Sequence, residues 1–372
     1  MKKLLLLLLS AAAACSGKLP EAQVQNIFAR HSFEEHSPEK IAAALEEGGA
    51  AGLAALDRRA AVLRDKLPLK ARPADRNISS GLLLGERGGR MVLLAVFPGS
   101  PAWEAGFREG DVVLAVNGSE PSAEAARRAL SKDTRFTLAA QRPGLPGPLE
   151  AEVQRGSFFF PKVFSFCDKE NRAAFLRLGL FYEGSAEDAL AAVEAAAGCG
   201  AQGLVIDLRD NQGGVPAEAA GVLKAFAAAP GPLLELRSRH AEYAALYGAE
   251  ARGRQAGLKL AVLVNARTSM AAEVFALALR EKAGAALVGG RTAGSVSLTR
   301  AFALGDGRGL RLTVARLLPP SGADLEGAGV QPDAAAGAAG GVVWDNSREV
   351  TLLGDPAWLK AQELLRSGFA RR

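Results

Sequence analysis

The chain has few of the residues that usually hold metal ions: three histidines and three cysteines among 372 residues. None of them stands in a His-x-x-x-His or Cys-x-x-Cys pattern, so we expect no metal site and no bound cofactor. A strong charge of one sign is also lacking. The formal net charge is only +5, which gives no basis for nucleic-acid binding. Beyond the amino-terminal segment, no apolar run is long enough to span a bilayer.

The amino-terminal segment has the pattern of an export signal. Two lysines are followed by six leucines, a serine, four alanines and Cys15. A charged start, a short apolar run and small residues are typical of a secretory signal. A cysteine after small residues indicates the lipoprotein type, so residues 1–15 are predicted to be a signal peptide with Cys15 as the lipidated residue. We therefore expect an exported protein of the bacterial cell envelope, lipid-anchored to the membrane and facing the periplasm. Plain cleavage with an incidental cysteine is the alternative.

The other two cysteines, Cys167 and Cys199, flank the same predicted strand–helix unit. An oxidising envelope permits a disulfide between them. Sequence alone does not set the distance between their Cα atoms. We therefore favour two separate buried thiols as the prediction.

Residues 16–77 are predicted to form a helical region. Ser37-Pro38-Glu39 has the features of a helix start, since serine can cap, proline suits the first turn and glutamate favours the positive end of the helix dipole. Gly48-Gly49 is expected to end this helix. A second helix is predicted over Ala50–Arg64, and Leu67–Asn77 is predicted to be a linker.

Residues 78–155 change to short strands separated by turns, and Asn117-Gly118 is typical of a hairpin turn. From about residue 156 strands and helices alternate. Leu204–Leu208 and Leu258–Val264 are predicted strands, each followed by a helix. Repeated βαβ units imply a largely parallel, helix-covered sheet. The whole chain is therefore predicted to be α+β, with an amino-terminal helical segment, a β-domain and an α/β core.

The segment Gly99–Asp111 reads Gly-Ser-Pro-Ala-Trp-Glu-Ala-Gly-Phe-Arg-Glu-Gly-Asp. Through it the 78–155 block resembles the permuted PDZ domains of bacterial envelope proteases. The resemblance implies that an extended peptide adds to the domain as an extra strand and that loop N–H groups hold its terminal carboxylate. The binding loop would be Ser80, Gly81 and Leu82, with Leu82 and Leu84 lining an apolar pocket. The alternative is a small β-domain whose apolar residues only form a core.

Three further segments, Gly203–Gly214, Pro319–Gly322 and Gly329–Asp333, resemble motifs of the C-terminal processing (tail-specific) serine peptidases. The resemblance covers residues 156–372 and implies the ClpP/crotonase-like α/β core of that family. It also implies that the backbone amides of Gly213, Gly214 and Ala271 form an oxyanion hole. Amides at a helix start can stabilise a developing oxyanion. The alternative is a glycine-rich turn that only needs positive φ angles.

The family's catalytic positions carry other residues in this chain. Thr268 and Glu273 fix an ungapped alignment that puts Met270 at the nucleophile position. The same comparison puts Ser295 at the lysine base position and Thr299 at the assisting glutamine position. A thioether has no proton to lose and cannot attack a carbonyl. Serine cannot replace a low-pKa amine as the base near pH 7. The sequence therefore predicts a pseudopeptidase that binds C-terminal tails of envelope proteins, as an adaptor or as a regulator of an active peptidase paralogue.

The alternative is an active serine endopeptidase that cleaves near protein C-termini and uses Ser269. A one-residue shift near a helix start turns a side chain by about 100°. The next lysine along the chain after Ser269, Lys282, has no motif context, and nothing in the spacing of His240 supports a Ser-His-Glu set with Glu273. A third reading is a structural envelope component with an inactive PDZ groove.

Overall fold

The computed structural model describes residues 18–63, 77–123, 125–126, 129, 133–158, 161–169, 172–255, 258–337, 350–352 and 354–367. The predicted signal peptide with Cys15 lies outside these ranges, as do most of the predicted linker and part of the predicted helix at 122–130. Among the helices of the described ranges, none has the length and apolar character needed to cross a membrane.

The amino-terminal region contains two helices and a short strand: α1 (Glu21–His31), α2 (Pro38–Gly52) and β1 (Ala61–Leu63). The predicted start of α2 is confirmed, because the Ser37 hydroxyl accepts a hydrogen bond from the Lys40 N–H at 3.4 Å.

The predicted helix over Ala50–Arg64 is wrong. The chain kinks at Gly49, where φ is 54°, and then continues only to Gly52 and a 3-10 turn at Leu53–Ala55. Leu53 is fully buried, and β1 then pairs in the antiparallel sense with a strand more than two hundred residues later. This long-range pairing outweighs the helix propensity of the alanines, which is worth only a fraction of a kcal/mol per residue.

The middle of the chain forms an antiparallel sheet. Its elements are β2 (Asn77–Ser79), β3 (Leu82–Arg87), β4 (Arg90–Val96), α3 (Pro101–Glu104), β5 (Val112–Val116), β6 (Arg135–Gln141), β7 (Leu149–Gln154) and β8 (Gly156–Phe158). Strands β3 to β7 pair in sequence order, and β2 pairs with β8. The predicted turn after β5 is confirmed, since Asn117 and Gly118 have φ angles of 51° and 72°.

The remainder of the chain forms the α/β core and a second antiparallel sheet. Its elements are β9 (Val163–Asp168), β10 (Ala173–Leu178), α4 (Ser185–Gly198), β11 (Gly203–Asp207), α5 (Pro216–Phe226), β12 (Gly231–Arg237), β13 (Ala245–Ala249), β14 (Lys259–Val264), α6 (Ala271–Ala283), β15 (Ala286–Gly289), β16 (Ser297–Ala303), β17 (Gly309–Leu318), β18 (Ala334–Ala335), β19 (Val350–Thr351) and α7 (Pro356–Ser367).

The core sheet has the strand order β18-β15-β14-β11-β10-β9, and only β9 runs antiparallel to its neighbour. Along β11, Leu204 and Ile206 face a cluster formed with α4, α5 and α6, whereas Val205 faces a cluster that contains Trp358 of α7. Because both faces of the sheet are buried, apolar residues follow one another along these strands and do not alternate with polar ones. The second antiparallel sheet has the order β1-β17-β12-β13, with β16 also on β17. The predicted α+β fold with a parallel, helix-covered sheet is confirmed.

Cys167 and Cys199 form a disulfide, so the prediction of two separate thiols is wrong. Cys167 lies in β9, Cys199 directly follows α4, and their Cα atoms are 6.5 Å apart. Helix α4 packs against β9 and β10, which brings its carboxyl end to the sheet edge. The sequence does not reveal this distance because it depends on how the helix crosses the sheet.

Removal of this disulfide is expected to lower the free energy of unfolding by about 2–4 kcal/mol, because the cross-link restricts the unfolded chain. Urea unfolding of the wild type with and without reductant measures the effect. The Cys167→Ser/Cys199→Ser variant is the control, since reductant should not move its midpoint. A wild type that is insensitive to reductant and has two alkylatable thiols at these positions would contradict the disulfide.

Candidate functional site

The junction between β14 and α6 holds the predicted nucleophile position. Met270 precedes the first turn of α6 with φ 54° and ψ −128°, a conformation that residues with a side chain rarely adopt. Such a conformation costs on the order of 1–3 kcal/mol and has to be held by its surroundings. Two backbone hydrogen bonds hold it: Met270 N–H to Ser295 O at 2.8 Å, and Ser269 N–H to Asn211 O at 3.0 Å. A sharp strand-to-helix turn of this kind exposes a side chain at its apex.

Ser269 is half-buried at the same junction. The residue at the N-cap of α6 is Met270, and no side chain forms a capping hydrogen bond there. The structure therefore leaves the Ser269 hydroxyl without a structural role in the helix start.

The turn after β11 lies against this junction. Asn211 is fully buried, donates from Nδ2 to Leu178 O at 2.8 Å, and accepts the Gly213 N–H on Oδ1 at 2.7 Å. A Cβ on Gly213, where φ is 94°, would stand 2.5 Å from the Met270 Cβ. Only glycine fits such a contact. The turn after β11 and the start of α6 are therefore packed together at Gly213 and Met270, two positions that the sequence analysis singled out.

The three amides of the predicted oxyanion hole differ in their partners. The Gly213 amide is already bonded to Asn211. For the Gly214 and Ala271 amides, no acceptor is present among the residues that the structure describes. Gly214 is exposed and Ala271 begins α6, where the helix dipole favours negative charge. Ala271 is 1% exposed, so of these two amides only that of Gly214 belongs to an exposed residue.

The loop with the predicted base position is organised by a buried carboxylate. Glu273 in α6 is fully buried and accepts hydrogen bonds from Thr292 Oγ1, from the Gly294 N–H at 2.6 Å and from the Ser295 N–H at 3.0 Å. Burial raises the pKa of Glu273, and these three hydrogen bonds oppose that rise without cancelling it. Glu273 therefore fixes the loop that brings Ser295 to Met270. In the sequence, Glu273 served only to anchor the alignment, and this structural role was not predicted.

The remaining predicted positions lie elsewhere. Thr299 lies in β16 opposite Thr313, and among the described residues no hydrogen bond joins it to the junction. Lys282 follows Met270 by twelve residues of α6, which places it about 18 Å away along the helix axis. In the described part of the chain, no hydrogen bond joins a lysine amine to Ser269, Met270 or Ser295. The structure thus brings together five of the predicted residues: Met270, Ser269, Ser295, Gly213 and Gly214. Thr299 and Lys282 lie apart from them.

His240 does not reach the junction through any contact that the structure records. Its ring neighbours are His31 and Tyr243, at centroid distances of 6.5 and 6.3 Å, and Arg239 donates to its Nε2. These residues belong to α1 and to the loop after β12. The pairing of His240 with Ser269 and Glu273 therefore has no geometric support.

A buried ion network lies behind the turn after β11. Arg209 donates from Nε at 3.1 Å and Nη2 at 2.7 Å to Asp207 Oδ2, and from Nη1 to Asp355 Oδ2 at 2.6 Å. Arg177 adds a bond to Asp207 at 3.3 Å, and burial lowers the pKa of Arg177 to about 10. Burial alone would raise the pKa of Asp207, but Arg209 and Arg177 hold it below its usual range. The network ties the turn to the start of α7, where Asp355 accepts the Ala357 N–H.

The predicted peptide-binding loop is closed in this structure. Ser80 and Gly81 are buried, and the Gly81 and Leu82 amides donate to the hydroxyls of Ser79 and Ser80 at 3.1 and 3.4 Å. Leu82 and Leu84 are 2% and 1% exposed and belong to the core of the β-domain. These four residues are therefore together at one end of β3, and all four are buried.

Comparisons with known proteins match both parts of the chain. The sequence model of peptidase family S41 matches residues 172–336, and that of the PDZ domain matches residues 92–142. Carboxy-terminal processing protease CtpB of Bacillus subtilis is 25% identical over 68% of this chain and 54% of its own length. The chloroplastic C-terminal processing peptidase of Tetradesmus obliquus is 30% identical over 67% of this chain and 57% of its own length. The chain therefore spans little more than half of each of these relatives.

A solved structure, the photosystem II D1 C-terminal processing protease, superposes with a TM-score of 0.53 at 22% identity, covering 94% of this chain and 97% of that one. At that identity the likeness establishes the fold.

Proposed function

The chain belongs to the S41 family of C-terminal processing peptidases and carries a PDZ domain; from that premise we propose that it binds peptides without cleaving them. It captures C-terminal tails or extended peptides of envelope proteins, as an adaptor or as a regulator of an active peptidase paralogue. The chain matches only 54% and 59% of the length of the two carboxy-terminal processing proteases of Bacillus subtilis, so their activity is not transferred to this chain.

One observation carries this proposal. The residue at the strained start of α6, in contact with Gly213 and bonded through its amide to Ser295 O, is a methionine. Its thioether cannot attack a carbonyl, and a Ser295 hydroxyl cannot accept a proton near pH 7. The residues at the family's nucleophile and base positions, Met270 and Ser295, therefore cannot perform the first step of hydrolysis, the attack on the peptide carbonyl.

The binding activity rests on the PDZ fold. Such domains bind an extended peptide as an added strand, with main-chain hydrogen bonds giving affinity and side-chain pockets giving specificity. The disulfide between Cys167 and Cys199 supports an oxidising compartment outside the cytoplasm. Together with the signal peptide expected over residues 1–15, this supports a location in the bacterial envelope with a lipid anchor at Cys15.

The proposal is tested with an unstructured protein that ends in an apolar tail. We expect no cleavage by the purified chain, no labelling of Ser269 by a serine-reactive phosphonate, and calorimetric binding of the tail peptide. The Ser269→Ala variant is the control. Cleavage that disappears in this variant would establish a peptidase with a displaced nucleophile. Absence of both cleavage and binding would leave a structural envelope component.

A further inference from the structure

The outer edge of β3 is already occupied by the chain itself. β19 pairs with β3 in the parallel sense, with Val350 opposite Leu83 and Thr351 opposite Leu84. The pairing extends by one more hydrogen bond, from the Leu352 N–H to Leu84 O at 2.8 Å. On its other side β3 pairs with β4, so β19 forms the end of this sheet. The chain has therefore added a strand of its own to the PDZ domain.

This is the edge that a peptide would need. A peptide that adds to a sheet uses the free N–H and C=O groups along one side of the edge strand. The groups on that side of β3 at Leu83 and Leu84 lie against Val350–Leu352. Leu352 is 2% exposed and packs in the cluster that contains Leu83, Phe97 and Trp358. A peptide strand and Val350–Leu352 cannot occupy this edge together.

The carboxylate loop is closed at the same time. The Gly81 and Leu82 amides are the groups expected to bind a terminal carboxylate. In this structure they donate hydrogen bonds to the hydroxyl oxygens of Ser79 and Ser80 instead. Two separate parts of the groove, the strand edge and the loop, thus hold groups from the chain in place of a ligand.

We infer that Val350–Leu352 is an internal competitor that keeps the PDZ groove closed until a peptide tail displaces it. This inference rests on the proposed function. The segment suits displacement because its strand is only two residues long. The next anchor is Asp355, which Arg209 holds at 2.6 Å and which accepts the Ala357 and Trp358 amides of α7. Release of the segment therefore stops at Asp355 and leaves α7 in place.

The inference is tested by hydrogen–deuterium exchange of the full chain. The probe is a decapeptide with an apolar C-terminal residue and a free carboxylate, and its amidated form serves as the control. We expect saturating peptide to accelerate exchange in the fragment that contains residues 350–352, while fragments of α7 keep their protection. Binding with unchanged exchange at 350–352 would overturn the inference and leave the proposed function intact.

Two variants weaken the segment to different degrees. Leu352→Ala removes the buried side chain, and Leu352→Pro also removes the N–H that bonds to Leu84 O. The apparent dissociation constant equals the intrinsic one divided by the fraction of molecules whose β3 edge is open. We therefore expect both variants to bind the decapeptide more tightly than the wild type, Leu352→Pro by about tenfold or more. Leu359→Ala, at an exposed position of α7, should leave the affinity unchanged.

Circular dichroism verifies that each variant is folded, and the exchange experiment on the wild type does not depend on them. Equal affinities in all four folded proteins would contradict the inference. No binding to any of them would contradict the proposed function as well.

Discussion

Hydrolysis is expected to return when two positions change together, Met270→Ser with Ser295→Lys. The first change supplies a hydroxyl at the strained start of α6, and the second supplies an amine on the loop bonded to it. A general base contributes about 10²–10⁴-fold to such a reaction, so the double variant should exceed Met270→Ser alone by that factor, while Ser295→Lys alone should be inactive because it lacks the nucleophile. The initial rate of cleavage of a fluorogenic peptide measures this.

The surroundings of the two residues favour this outcome. Glu273 holds the loop from Thr292 to Ser295 by three hydrogen bonds, and the Gly214 and Ala271 amides have no acceptor in the described residues. A lysine beside buried groups loses hydration, which lowers its pKa toward the range that a base needs. Thr299→Gln, added as a third change, tests whether the assisting position contributes.

Met270→Ala combined with Ser295→Lys is the matched control, because it has the base and lacks the nucleophile. It should be inactive. Activity in this control would show that Ser269 or another residue attacks the substrate. A double variant that is folded but inactive would mean that the two positions are not aligned for proton transfer.

The strand and helix pattern of the core could be predicted because local apolar runs and glycines mark it. β11 and β14 follow the predicted segments closely, the helix predicted after β14 is α6, and Gly213 was singled out by its place before a helix. The role of Asn211 was missed, although an asparagine two residues before a glycine pair is typical of a side chain that bonds the backbone of its own turn. Glu273 also gave a signal, as a lone charge in the apolar start of α6.

Features that depend on long-range packing could not be predicted. The strand β1 pairs with β17 across the chain, and its sequence, Ala-Val-Leu, fits a helix equally well. The disulfide depends on where α4 ends above the sheet. The pairing of Val350 and Thr351 with β3 joins two distant parts of the chain, and a two-residue strand has no periodicity to reveal it. The closed PDZ groove was therefore visible only in the structure.

The Arg209→Met substitution is expected to destabilise the protein by about 3–5 kcal/mol at pH 7, because it removes the buried cation that bonds Asp355 and leaves Asp207 with Arg177 alone. The side chains of Arg209, Asp207 and Asp355 are 9%, 0% and 2% exposed, so solvent cannot replace the lost bonds. Urea unfolding of the two proteins measures the difference. Arg254→Met is the matched control. Its partner Glu194 lies 3.9 Å away and both side chains are largely exposed, so a change within about 0.5 kcal/mol is expected.

The loss of unfolding free energy caused by Arg209→Met should also depend on pH. In the wild type the folded pKa of Asp207 is lowered, so its contribution to stability is present above the unfolded value of about 3.9 and is lost as the pH falls through the folded value. Without Arg209, only Arg177 opposes the effect of burial, so the pKa of Asp207 lies higher than in the folded wild type and the folded variant takes up a proton at a higher pH. The difference in unfolding free energy should therefore shrink between pH 7 and pH 4.5. A difference that stays constant over this range would show that lost packing, rather than charge, dominates the effect of the substitution.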